Sequence, residues 1–178
     1  MALSFSLPER LHTAEGAVRR AGLEIEFHGV APLEVAARVH ELFGGSVRKH
    51  NPHVWLIDDT EFGAFRVELD ARFLTELGYR ELMRKAGFED GTEVASRVER
   101  VIQGVGESLV PCEVVCPPIP MDQLDALLAL EEVLRWDGAQ GSEASFFHAL
   151  GFQINAELPD LEVQTLLAYL RAFLERYA

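Results

Sequence analysis

Hydrophobic and polar residues alternate strictly from Ala21 to Gly29, with Leu23, Ile25 and Phe27 on one side and Glu24, Glu26 and His28 on the other. A period of two is the signature of a half-buried strand. From Pro32 to Phe43 the period becomes helical, with Leu33, Ala36, Ala37, Val39, His40 and Phe43 as the stripe, Pro32 in the first turn and Gly44-Gly45 as the stop. Ser46–His50 and His53–Asp58 read as short strands around Asn51-Pro52. Asp59-Thr60-Glu61 then turns into Phe62–Asp70, where Phe65, Val67 and Leu69 oppose Arg66, Glu68 and Asp70. Helices are predicted at about 73–85 and 92–107, the second capped by Thr92 and striped by Val94, Val98, Val101, Ile102 and Val105. Pro111–Cys116 reads as a strand closed by Pro117-Pro118. Met121 to Trp136 reads as a helix carrying Leu124, Leu127, Leu128, Leu130 and Leu134, with Gly138 after it. Leu150–Glu157 again alternates, Phe152, Ile154 and Ala156 against Gln153, Asn155 and Glu157. A last helix, Leu161–Tyr177, keeps Val163, Leu166, Leu167, Leu170, Leu174 and Tyr177 in register, with Asp160 as its cap.

Residues 1–18 show no sustained period and read as a lead-in segment; residues 19–178 read as one α/β domain, without linker or repeat. The order βαβββααβαβα predicts an α+β fold, a mostly antiparallel sheet with helices on its apolar face. A chain of 178 residues, 48% hydrophobic, can bury one core. Lys and Arg number 16 against 29 Asp and Glu, a formal charge of −13, so the phosphate-neutralising surface of a nucleic-acid binder is missing. No stretch approaches the roughly 20 apolar residues of a membrane span, and the N-terminus has no apolar signal region. The expected setting is cytoplasmic, with no membrane or nucleic-acid partner. Cys112 and Cys116, four apart in a strand, would stand about 13 Å from each other, too far for a disulfide.

The acidic excess changes the picture once it is mapped onto the strands. Each strand opposes its apolar row with a carboxylate: Glu24 and Glu26, Glu68 and Asp70, Glu113, and Glu157 with Gln153 and Asn155 beside it. Glu and Asp are depleted in strands, where Thr is the commoner polar choice. If the helices cover the apolar face, these groups converge on the open one, where solvation, arginine pairing or hard divalent cations can relieve their repulsion. A solvated polar face is the plain alternative. Mg²⁺ keeps waters and substrate phosphates in its shell, so a carboxylate floor suits a nucleoside triphosphate.

Five blocks carry a resemblance: Arg20-Ala-Gly-Leu-Glu-Ile-Glu-Phe27, Gly63-Ala-Phe-Arg-Val-Glu-Leu-Asp70, Val110-Pro-Cys-Glu-Val-Val-Cys-Pro-Pro118, Asp137-Gly-Ala-Gln-Gly-Ser142 and Gly151-Phe-Gln-Ile-Asn-Ala-Glu157. In order and content the set resembles the amidoligases, of the glutamine synthetase and glutamate–cysteine ligase superfamily of carboxylate–amine ligases. The resemblance implies a glutamine synthetase-like catalytic fold, of which this chain would be the N-terminal portion. It also implies ATP with Mg²⁺ or Mn²⁺ as cofactors, and a small-molecule or peptide carboxylate and an amine as substrates. It makes Glu24, Glu26, Glu113 and Glu157 candidate metal ligands and Glu68 and Asn155 candidate catalytic residues. Gln153, Asn155, Gly138 and Gly141 become candidate nucleotide-binding residues. The family pattern has His where this chain has Gln153, an amide in place of an imidazole. It also continues beyond the helix that ends here at Tyr177, so a shortened, non-catalytic relative acting as a binding or partner subunit is the competing expectation. A homo-oligomer or a complementary subunit would cover open sheet edges.

Other signals are weaker. His50 and His53 flank a turn, Gly104-Val-Gly106 lacks the context of a dinucleotide fingerprint, and Ser142, Ser145 and His148 make no nucleophile elbow. Trp55 and Trp136 are expected in core or interface positions.

Overall fold

The computed structural model describes residues 5–51, 53–69, 111–139 and 152–177. These form seven strands, three α-helices and a short 3₁₀ turn: β1 (Arg20–Phe27), α1 (Pro32–Phe43), β2 (Ser46–Asn51), β3 (Val54–Thr60), β4 (Gly63–Leu69), β5 (Cys112–Val115), β6 (Ile119–Pro120), the turn Met121–Gln123, α2 (Ala126–Trp136), β7 (Phe152–Ala156) and α3 (Val163–Tyr177). Among these residues every strand pairing is antiparallel, which the short connections require for β2, β3 and β4. The fold class is therefore α+β with an antiparallel sheet. Neighbours run β2-β3-β4-β5-β1, with β6 continuing the line of β5 past Pro117-Pro118 and β7 on the far edge of β1. Ala21 of β1 accordingly has Ile119 on one side and Ala156 on the other.

Register decides which side chains share a face. Residues directly opposite across a ladder point the same way, so Leu23, Phe27, Ile57, Phe65, Val67, Cys112 and Val114 form one continuous apolar layer, all buried. α1 packs on this layer over β3 and β4 and leans on α2. Phe43 at its end stacks on Phe65 with 5.3 Å between ring centroids. The helix stops because Gly44 takes φ 74° and returns its amide to the His40 carbonyl, a conformation that favours glycine.

Three expectations change. The buried stripe of α1 is Pro32, Val35, Ala36, Val39 and Phe43, whereas Leu33 is 51% exposed; the sheet selects a face rotated by part of a turn from the one that the sequence predicts. The predicted helix from Met121 is divided. The Met121 amide bonds back to the Arg19 carbonyl and the Leu127 amide reaches only three residues back, to Leu124, so the first turn is 3₁₀ and the α-helix begins at Ala126. Trp136 is 90% exposed, which excludes the core among its two expected positions, core or interface. The helices expected at 73–85 and 92–107, together with Asp70, Gly104, Gly106, Gly141, Ser142, Ser145, His148 and Leu150, lie outside the described residues.

α3 keeps the expected register, but Leu166, Leu170 and Leu174 are 43%, 53% and 56% exposed. What anchors it among the described residues is polar. Arg10 pairs with Asp160, which also accepts the Glu162 amide at 3.1 Å. Deeper in, Arg19 is almost fully buried, donating from Nε to the Glu157 carbonyl (2.8 Å), from Nη1 to the Arg10 carbonyl (2.6 Å) and from Nη2 to the Tyr169 hydroxyl (2.7 Å).

Cys112 and Cys116 are free and buried, and burial pushes both thiols from 9.0 up to about 12, Cys112 being raised further by the charges of Glu113 and Glu68. An unfolded chain releases these protons near pH 9 while the folded one holds them, so stability is lost as pH rises from about 9 towards about 12. The expected slope is about 1.4 kcal/mol per pH unit for each thiol. Denaturant titrations across that range should show it, and the Cys112→Ala/Cys116→Ala double variant should flatten it; equal slopes in the two proteins would disprove the assignment.

Candidate functional site: an acidic sheet floor

The face opposite the described helices carries the carboxylates of β1, β4 and β5. Along β1 the even positions Arg20, Gly22, Glu24 and Glu26 point to it, because Ala21, Leu23 and Phe27 are committed to the core. Glu26 lies directly across from Glu113 on β5, and Glu113 directly across from Glu68 on β4. Three glutamates thus stand in one row across three adjacent strands, each neighbouring pair with Cβ atoms about 5 Å apart. The next row reads Arg66, Val115, Glu24 and Gln153. Arg66 pairs with Glu68 at 3.1 Å, and Glu24 accepts a hydrogen bond from Asn155 Nδ2, also at 3.1 Å. His28, the next even position past Glu26, is buried.

The floor therefore brings together Glu24, Glu26, Glu68, Glu113, Gln153 and Asn155 from four strands. Glu157 is set apart. It follows β7 level with Arg20, whose amide donates to its Oε2 at 2.8 Å, and six strand positions separate it from Glu26, about 20 Å. A single cation cannot be shared between the two. Gly138, at φ 100° just past α2, backs onto Gly29 beyond the end of β1. A Cβ on Gly29, itself at φ 98°, would come within 2.6 Å of the Gly138 carbonyl oxygen, so this close approach of two backbones at the edge of the floor requires glycine. Asp137 before it is held by a two-pronged bond from Arg38 of α1, 2.7 and 3.0 Å, which ties this loop to the helix layer.

Whether the row suits a divalent cation can be judged from its donors. All are hard carboxylate oxygens, the ligand type of Mg²⁺ and Mn²⁺. Among the described residues no three His, Cys, Asp or Glu side chains close into a metal cage. The row spans about 10 Å from Glu68 to Glu26, so one ion meets at most two neighbouring carboxylates and keeps its remaining positions for other oxygens. That is how Mg²⁺ is commonly bound, by one or two carboxylates with waters and phosphates completing the shell.

Arg20 and Gly22 received no role from the sequence, although the alternation that placed Glu24 and Glu26 also places these two on the same face. Among the described residues no helix is long and apolar enough to cross a membrane.

Among the described residues the chain is an antiparallel α+β domain whose sheet gathers half-buried carboxylates on the face away from α1 and α2. Residues 17–177 match the family described as "Putative amidoligase enzyme", and the chain belongs to the amidoligase family. No curated protein and no solved structure matches the chain.

Proposed function

We propose that the protein is an ATP-dependent carboxylate–amine ligase of the glutamine synthetase-like kind, with the triphosphate seated over the row Glu68–Glu113–Glu26. The observation that carries this reading is the register that lines those three carboxylates up across β4, β5 and β1, within a chain of the amidoligase family. In the proposed reaction a substrate carboxylate oxygen attacks the γ-phosphorus and ADP leaves. The amine nitrogen then attacks the acyl carbon, loses a proton and expels phosphate. Mg²⁺ or Mn²⁺ would be held by neighbouring pairs of the row and would neutralise triphosphate charge.

The chain's own groups do the positioning. Glu113 stands between two like charges and is the central ligand. Arg66 offsets the charge of Glu68 at the row's β4 end. Asn155 fixes the carboxylate of Glu24, and Gln153, opposite Glu24, offers an amide where the family pattern has a histidine. Purified protein given Mg-ATP and a broad panel of carboxylates and amines should release phosphate only when a matched pair is present. Absence of both phosphate release and nucleotide binding would refute the reading.

A further inference from the structure

β1 departs once from its own pattern on the acidic face. Gly22 stands between Arg20 and Glu24, where alternation leaves room for a side chain. Glycine weakens a strand interior, and where it persists it marks a special backbone conformation, a tight packing contact, or the close approach of something else. The first two explanations fail here. Gly22 is not among the residues with positive φ. A Cβ built on it would meet only the Cβ of Asn155, at 3.9 Å, an ordinary van der Waals contact.

What the missing side chain leaves is space. A cavity of about 510 Å³ lies over Gly22, lined by Arg20, Pro118, Asn155, Ala156 and Glu157. Its walls follow from the fold. The β5–β6 line is interrupted at Pro117-Pro118, β7 closes the other side, and Glu157 ends the strand beside Arg20. Its polar groups are of opposite sign. Among the described residues the Arg20 guanidinium makes one hydrogen bond, Nη1 to the Pro118 carbonyl at 3.0 Å, which uses one of its five N–H donors. The Glu157 carboxylate is fixed by accepting the Arg20 amide. Asn155 spends a donor on Glu24, which leaves its amide oxygen as an acceptor.

We propose that this hollow seats the head group of a free α-amino acid, its carboxylate on the Arg20 guanidinium and its ammonium between Glu157 and the Asn155 amide oxygen. A fixed cation and a fixed anion on opposite walls select a zwitterion over a simple acid or a simple amine, because either of those makes only one of the two charge-assisted contacts. The hollow lies beside Glu24, two strand positions away or about 7 Å, and Asn155 touches both places. An amino acid held there extends its remaining atoms along the floor towards the carboxylate row. Its use as a substrate rests on the ligase reading; its binding does not.

The test is calorimetric titration of the whole chain with the common free L-amino acids, with propionate and ethylamine as probes lacking one charge or the other, and separately with Mg-ATP. At least one amino acid should bind, with both single-charge probes weaker by about tenfold or more. Arg20→Gln and Gly22→Leu should abolish that binding while leaving Mg-ATP binding as it was. Gly22→Ala, which the backbone accepts without strain, should weaken binding only in part, and Arg20→Lys should restore some of what Arg20→Gln loses. Propionate binding as well as its amino-acid counterpart, or parental amino-acid affinity in Gly22→Leu, would overturn the proposal. So would nucleotide binding with no amino-acid binding, which leaves the ligase reading intact. Amino-acid binding without any nucleotide binding would instead sink the ligase reading and leave this site standing.

Discussion

Glu113→Gln is expected to lower Mg-dependent phosphate release by about a hundredfold or more, the scale on which a single electrostatic group in an active site acts. Glu113 is the middle of the row, with Glu26 across one ladder and Glu68 across the other. Directly opposed like charges destabilise a sheet, so an isosteric amide at the centre relieves repulsion on both sides while retaining polar atoms for hydrogen bonding. It also removes the one carboxylate that can pair with either neighbour around a cation. Two measurements check this: turnover with Mg-ATP, and the rise in melting temperature caused by adding Mg²⁺ or Mn²⁺, which the variant should lose. Glu157→Gln should leave the metal-induced rise unchanged, because Glu157 sits about 20 Å from Glu26 along the sheet. Turnover near the parental level in Glu113→Gln would show that the row does not hold the nucleotide.

Arg19→Met is expected to destabilise the fold strongly. The guanidinium is 2% exposed and fastens three separate parts of the chain: the lead-in through the Arg10 carbonyl, the end of β7 through the Glu157 carbonyl, and α3 through the Tyr169 hydroxyl. Methionine supplies comparable bulk but no donor. Three acceptors then lose their partner in a shielded place, at about 1 kcal/mol or more each, about 3 kcal/mol in total. For a domain of this size that corresponds to a fall of roughly 10 °C in melting temperature. Tyr169→Phe removes one of the three bonds and should cost about 1 kcal/mol. The double variant should cost less than the sum of the two single changes, since the groups touch. Denaturant unfolding of the four proteins measures all these values; a loss below about 1 kcal/mol for Arg19→Met would show that water replaces the lost donors. The consequence reaches the site, because Glu157 and Arg20 both hang on the strand end that Arg19 holds.

Much of the sheet could be read from the chain because alternation is a local signal. Once Leu23 and Phe27 are buried, Glu24 and Glu26 have one place to go, and the same holds for Glu68 opposite the buried Val67 and Leu69. The α1 limits, Pro32 to Phe43, were equally local, set by a residue that suits a first turn and a glycine that ends the last. The face that α1 buries was not: Leu33 and Val35 are both apolar, and only the position of β3 and β4 beneath the helix chose Val35. The break at Met121–Gln123 depended on a bond to the Arg19 carbonyl, a partner about a hundred residues away in sequence.

The candidate site divides along the same line. Residue type and strand parity, which the chain carries locally, determined that glutamates would occupy the open face of the sheet. Pairing between distant strands decided the rest: that Glu26, Glu113 and Glu68 share a row, that Glu157 is left outside it beside Arg20, and that Gly22 lies under a hollow walled by β7 and the Pro117-Pro118 break. The physical reason is that alternation fixes only up or down along one strand, whereas the place of a side chain across the sheet depends on register, which long-range hydrogen bonds set once the apolar layer has packed.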